Sequence, residues 1–290
     1  MSQASYPIDP NYRYRFNRRL GTGLYYLGLA IFTIIVLVPF YWMARASVSN
    51  QEQILMSPPL YFPTPTFENF GIVAEQVPLV LFINNSIIYS TASAAIAVLT
   101  SFMAAYAFTR IKVRGSGFLQ WLLIITVSIP QISLIIPLYQ ILLNMKLLNS
   151  LTGLILVFSS LLTPFTVWVL MSFISQVPQE IEEAAIIDGA SLWQVLWRIV
   201  IPVTTPGIVT MFVINFINGW NDLLHPLSFS TEEAKTLSVA ITYIYSYRAS
   251  WGLPWNLVST VGMIMVIPVI IMVIFAQRSI VSGLTRGAIK

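Results

Sequence analysis

Residues 176–202 read QVPQEIEEAAIIDGASLWQVLWRIVIP. Pro178 suits a first helical position, where its missing N–H is no loss and its fixed φ is already helical. Glu180, Glu182 and Glu183 follow in the first turns, where carboxylates meet the positive end of the helix dipole. Gly189 is a good helix stop, because it can adopt the positive φ that a sharp turn needs. Ser191 can cap a second helix, in which Leu192, Val195, Leu196 and Ile199 return at helical spacing. Pro202 then opens a long apolar run. The stretch therefore predicts two short helices on either side of a turn at Gly189. Ile181, Ala184 and Ala185 give the first helix a narrow face that could enter a groove in a partner. An ordinary amphipathic surface loop carries the same periodicity, and the spacing alone does not rank the two.

On either side of this stretch lie apolar runs at 151–173 and 200–224. Similar runs occupy 24–44, 83–108, 118–143 and 257–276. Each is near the ~20 residues a helix needs to cross ~30 Å of hydrocarbon. Strands of a membrane barrel would instead read as ~10-residue alternating segments. Composition agrees: 57% of the 290 residues are hydrophobic, 9% are charged and the mean hydropathy is +0.78. Soluble domains carry roughly a quarter charged residues. The expected fold is an all-α membrane protein of six transmembrane helices. It divides into an N-terminal segment (1–23), a membrane domain (24–276) that includes 178–202, and a tail (277–290).

Lys and Arg orient it. With six spans, Arg13, Arg15, Arg18, Arg19, Arg110, Lys112, Arg114, Arg198, Arg278, Arg286 and Lys290 share one side. Arg45, Lys146, Lys235 and Arg248 occupy the other. Eleven of 15 basic residues on one side places that side, both termini and the 178–202 segment in the cytoplasm. The net charge of +4 is therefore a statement about topology and not about nucleic acid. The first run is long and no small-residue cleavage pattern follows Trp42, so it reads as an uncleaved anchor.

Pro130, Pro137, Pro164, Pro206 and Pro268 lie inside spans and predict kinks. The second span is rich in small residues (Ala92, Ser93, Ala94, Ala95, Ala97, Ser101, Ala104, Ala105) that let helices approach closely. Two outer loops are expected. One, 47–80, is proline-rich and irregular with short helices. The other, 225–256, carries Tyr243, Tyr245, Tyr247, Trp251 and Trp255, read first as an interfacial belt or simple packing and second as a surface for a sugar or an outside partner.

Several chemistries are excluded. Without cysteine there is no disulfide, thiolate metal site or thiol nucleophile. One histidine, His225, argues against a histidine metal site. No Gly-x-x-x-x-Gly-Lys-Ser/Thr phosphate loop is present, so the chain is not expected to hydrolyse ATP. No nucleophile–base set marks an enzyme.

The spacing Glu183-Ala184-Ala185, three residues, Gly189, nine residues, Ile199, one residue, Ile201-Pro202 resembles the EAA loop of bacterial ABC-importer permeases. Ile201 replaces leucine, a mild apolar exchange. Further segments resemble the carbohydrate branch of that family: Asn85-Ser86, Ala104 to Phe108, Ile136 to Tyr139, Leu147-Leu148-Asn149, Gly153 to Leu156 and Trp220-Asn221-Asp222. The tail from Gln277 to Lys290 is similar to the end of the maltose-permease subunit of the MalG type. The resemblance implies a type I ABC importer permease fold in the cell inner membrane, with 178–202 as a coupling element. It implies a MalF-like second permease subunit, two MalK-like ATPase subunits that use ATP and Mg, and an extracytoplasmic solute-binding protein. This chain binds no cofactor on that reading.

Within the coupling element the resemblance assigns the ATPase contact to Glu183, close approach to Ala184 and Ala185, and the turn to Gly189, with Asp188, Ile199 and Pro202 in the same motif. A solvated helix-start carboxylate and a simple C-cap are the plain alternatives for Glu183 and Gly189. The tail after Gln277 would reach between the ATPases, or stand free. Asn215, Asn218, Asn221 and Asp222, near the outer half of the fifth span, suit sugar hydroxyls as directed hydrogen-bonding groups. They suit interhelical hydrogen bonds as well. A permease for amino acids or glycerol phosphodiesters would also carry the EAA spacing. A secondary transporter would be expected to show paired repeats or charges within spans, and neither stands out.

Overall fold

The computed structural model describes the backbone of residues 12–111, 114–246 and 252–288, and the side chains of 21–111, 114–245 and 252–277. Lys112, Tyr247, Arg248, Trp251 and Lys290 lie outside the described residues. The side chains of Arg13, Arg15, Arg18, Arg19, Arg278 and Arg286, and with them most of the expected tail, lie outside the described side chains.

Among the described residues thirteen α-helices follow one another. The long α1 (Tyr12–Ser47) leads to short α2 (Gln51–Leu55) and α3 (Glu68–Gln76). Next come α4 (Leu79–Arg110), α5 (Ser116–Val127), a 3-10 turn (Gln131–Leu134) and α6 (Ile135–Asn144). After α7 (Leu151–Ile174) come α8 (Gln179–Ile187) and α9 (Leu192–Val195). A π-turn (Leu196–Val200) joins α9 to α10 (Ile201–Asn221). Short α11 (Leu224–Phe229) and α12 (Leu237–Ser246) precede the final α13 (Trp255–Ala288).

Five helical segments are long and apolar enough to cross a membrane, and α5 with α6 form a sixth that is bent by 99°. Side-chain ties fix which ends meet. Arg110 Nη2, closing α4, donates to the carbonyls of Ile174 and Val177, where α7 closes. At the opposite end Asn85, early in α4, donates to the carbonyls of Glu233 and Lys235, and the Asn149 N–H before α7 donates to Phe229 O. The chain must therefore pass from one end to the other between Arg110 and Asn149, so the bent pair is one crossing. Ser47 O accepts from Asn69, whose Oδ1 accepts from Asn256 at the start of α13. The free ends of α1 and α13 thus lie at the α8 end.

The bend is larger than a kink, and it corrects the reading of the third span. Pro130 stands in the break, with φ −59° and ψ 122°, and opens the 3-10 turn. Pro137 disrupts nothing, since it sits in the first turn of α6, where its missing N–H has no partner to lose. Pro39, Pro164, Pro206 and Pro268 are each carried inside a continuous helix.

α4 is the central helix. Its Ser93, Ala94, Ala97, Ser101 and Ala105 are buried against α7 and α10. A Cβ added at Gly219 of α10 would stand 3.1 Å from Ser90 Cα of α4, so the crossing depends on a residue without one. At the α8 end, Val98, Phe102, Leu170, Ile174, Val195, Leu196 and Val200 form one apolar cluster. Val73, Phe82, Phe216, Trp220, Leu237, Ile244, Leu257 and Val261 form another at the opposite end. Among the described side chains of α1, those buried lie in its last turns, where the helix packs on α13.

The two segments expected as outer loops are held in different ways. Among the described residues of 225–256 the packing reading holds over the aromatic belt. Leu237, Val239, Ala240 and Ile244 of α12 are fully buried, and the Tyr243 ring packs 6.0 Å from that of Phe82. The alternation of α12 places its apolar face on α4, α10 and α13, and burial of that face holds the segment inward. Tyr245 and Trp255 remain exposed. In the 47–80 segment the irregular course with short helices is present, tied down by buried Arg45, which donates to Leu60 O (2.6 Å) and Gln53 O (3.2 Å).

Candidate functional site

The site begins with how α8 starts and stops. Pro178 is its N-cap (φ −60°, ψ 129°), one residue earlier than expected. The helix ends in a Schellman turn: Ala190 N–H donates to Ala185 O (2.9 Å) and Gly189 N–H to Ile186 O (3.0 Å), with Gly189 at φ +90°. An L side chain at that φ is strained, which is the local reason for glycine there. Ser191 then caps α9 in a reciprocal box, its N–H donating to Gln194 Oε1 (2.7 Å) and its Oγ accepting from the Gln194 N–H.

α9 is not a separate surface helix, as the two-short-helix reading had it. It runs through the π-turn into α10, so one helical segment extends from Leu192 to Asn221. Pro202 supplies the reason. Its ring would crowd the carbonyl four residues back in a regular ladder and it has no N–H to donate. The wider turn is closed instead by Ile201 N–H on Leu196 O.

α8 has two faces. Glu183, Ala184, Ile187 and Asp188 are exposed, with Ile187 85% exposed. Ala185 is half-buried on the cluster that holds Val195 and Ile199. An open depression of about 320 Å³ lies in the elbow, lined among others by Asp188, Gly189, Gln194 and Arg198. Pro202 is exposed and Ile199 half-buried. The motif residues thus gather around one elbow beyond the end of the bundle.

Glu182 stands apart from them. It is 4% exposed and faces the bundle. Its Oε1 accepts from Arg110 Nε at 2.8 Å and pairs with Arg110 Nη2 at 2.7 Å, while Oε2 accepts from Tyr106 Oη at 3.0 Å. Reading the three glutamates as equivalent dipole carboxylates misses this. The available signal was Tyr106 and Arg110, four residues apart on an otherwise apolar helix end and hence on one face.

The four polar residues of the fifth span are not brought together. Asn215 is buried and tied to Thr166 of α7, Nδ2 donating at 3.0 Å. Asp222 accepts from Tyr89 Oη at 2.6 Å and contacts His225 Nδ1 at 3.0 Å. Asn218 and Asn221 are exposed one turn apart, with Asn221 Nδ2 on Ile217 O. Other polar motif residues close around the same end. Asn85 and Ser86 hold the backbone of 233–237, and Asn149 Oδ1 accepts from Thr231 and Glu232 N–H. Among the described residues no group of three His, Asp or Glu could hold a metal ion. The apolar groove of about 520 Å³ between α5 and α7 has no charged lining.

A family model described as "Binding-protein-dependent transport system inner membrane component" matches residues 97–286. The chain is 32% identical over 272 residues to the sulfoquinovosyl glycerol transport system permease protein SmoH of Agrobacterium fabrum, covering 93% of this chain and 94% of that one. It is 32% identical to the trehalose/maltose transport system permease protein MalG of Thermococcus litoralis (91% and 95% covered). It is 31% identical to the diacetylchitobiose uptake system permease protein DasC of Streptomyces coelicolor (87% and 91%). Its fold is similar to a chain of a bacterial ABC transporter involved in import of the acidic polysaccharide alginate, at TM-score 0.75 and 20% identity, covering 94% of this chain and 99% of that one. A chain of the MetNI methionine ABC transporter aligns at TM-score 0.55 and 20% identity (71% and 95% covered).

Proposed function

We infer function from one premise: this chain belongs to the family of binding-protein-dependent transport system inner membrane components. It is a multi-pass membrane subunit of such a system. The solute we propose is a sugar or oligosaccharide. The three relatives above are named for a sugar glycerol, a disaccharide derivative and disaccharides, and each aligns over nearly its whole length.

The reading of α8 rests on one observation: Glu183, Ala184 and Ile187 project from an elbow whose other face is buried on the bundle. On this reading a cleft of a separate ATPase receives that face. Ala184 permits close approach, Glu183 makes the polar contact, and Gly189 sets the angle, while Ala185 seats the inner side of α8 on the bundle. Asp188, Ile199 and Pro202 shape the elbow. ATP and Mg are handled by two such ATPases. A second permease subunit completes the pathway, and a solute-binding protein delivers from the opposite side. The α8 end, with both chain ends, faces the cytoplasm, as the basic residues favour. Asn218 and Asn221 are the pathway candidates whose positions fit, because polar groups on an exposed face of a spanning helix favour a partner or a water-filled cavity over lipid.

Affinity purification of the tagged chain from its native membrane tests the assembly. An ATPase subunit is expected to co-purify, and its absence under every mild detergent would remove the reading. Gly189→Phe should insert normally yet lose ATPase retention and solute uptake, and normal uptake in that variant would end the role given to the turn. Uptake in proteoliposomes, with a panel of labelled disaccharides and amino acids, decides the solute class.

A further inference from the structure

We propose that Glu182 and Arg110 form a positioning pair that makes α8 a lever on α4 and α7. This deepens the reading of α8 as the ATPase-docking helix and rests on it. Two adjacent glutamates divide the work: Glu183 faces outward, and Glu182 is turned inward and buried. One guanidinium then joins three elements. Arg110 holds Glu182 of α8 through Nε and Nη2, and the same Nη2 holds the carbonyls of Ile174 (3.0 Å) and Val177 (2.7 Å) that close α7. Arg110 is itself the last residue of α4, and Tyr106 one turn earlier takes the second carboxylate oxygen. Both carboxylate oxygens of Glu182 are therefore held by the bundle.

The geometry explains what the pair adds. Between α8 and α9 lies only the turn at Gly189, where an added Cβ would meet open space. Between α7 and α8 lies a four-residue link, 175–178. A pull on the outward face of α8 could be absorbed by rotation about those two joints. The contact removes that freedom, because Arg110 Nε and Nη2 converge on Oε1 while Tyr106 Oη holds Oε2, so the charge-assisted carboxylate is fixed at both oxygens against translation and rotation. Displacement of α8 then passes to the ends of α4 and α7, which pack along their length, with Ser101 Oγ donating to Thr163 O at 3.1 Å.

The test uses the complete transporter in proteoliposomes and reads ATP hydrolysed per solute imported, beside ATPase retention. Glu182→Gln keeps the shape and removes the charge. Arg110→Met/Glu182→Met removes the pair as a unit, an exchange that folding often tolerates well. Glu183→Ala and Gly189→Phe serve as docking variants. The proposal expects both pair variants to retain the ATPase and go on hydrolysing ATP while the ATP-to-solute ratio rises several-fold. It expects the docking variants to lose ATPase. A normal ratio in either assembled pair variant overturns it, with docking left standing. Failure of both pair variants to accumulate makes the pair a folding requirement and also overturns it. If the docking variants keep full ATPase retention, the reading of α8 itself falls.

Discussion

Replacing Asp222 with alanine would strand two buried groups at once. Tyr89 Oη and His225 Nδ1 both rely on its carboxylate, and both residues are fully buried. Each buried polar group left without a partner costs about 1–3 kcal/mol. Asp222→Ala should therefore lower the melting temperature of the purified chain clearly, and Asn221→Ala, at an exposed neighbour, should not. Equal melting temperatures would contradict the network. Glu182→Ala should be costlier, at about 3–5 kcal/mol, because it leaves the Arg110 charge buried and unpaired; thermal unfolding of the two variants side by side checks the order. At this scale Gly189 and Ser191 were legible in the sequence, since a C′ glycine and a capping serine act on backbone within one turn. Glu182 was not. Its role depends on Arg110, 72 residues earlier in the chain.

Among elements, α10 crosses α4 with Gly219 set against the backbone of Ser90. A Cβ at Gly219 would meet Ser90 Cα at 3.1 Å and Phe158 Cε1 at 3.4 Å. Gly219→Val carries two further carbons, so α10 must move away from α4, at a cost of about 1–3 kcal/mol for overpacking. Reduced thermal stability with normal membrane insertion is expected, and unchanged stability would show that the helices have room to separate. Helix identity followed from apolar run length, because lipid demands about 20 residues per crossing. Continuity did not follow. Pro130 breaks its span while Pro164, Pro206 and Pro268 do not. The helices on either side of the break bury little, α5 no residue and α6 one, whereas α7 and α10, which carry their prolines inside, each bury nine.

For the whole molecule, the ends of α4 and α7, the elbow of α8 and the free ends of α1 and α13 lie together. The chain has no cysteine, so single cysteines make clean probes. With an impermeant thiol reagent on sealed vesicles, Arg114→Cys and Glu183→Cys should label from one face, and Glu68→Cys and Glu232→Cys from the other. Labelling of Arg114→Cys and Glu232→Cys from the same face would mean that α5 and α6 form a re-entrant hairpin and do not cross.

Apolar run length, read along the chain, was enough for the five spanning helices and the bent α5–α6 pair. Turn chemistry was enough for the elbow at Gly189. These follow from interactions between near neighbours and from the solvent each segment requires. The inward fold of α12, the fusion of α9 with α10, the commitment of Asn215 and Asp222 to internal ties and the capture of Glu182 by Arg110 were decided by tertiary structure. All but one join groups 49 to 151 residues apart or bury a face on distant helices, and no local propensity reports which distant surface a side chain will meet. The exception, the π-turn before Pro202, is local in cause, but its outcome was decided by the burial of Val195, Leu196 and Val200 on one side of the helix.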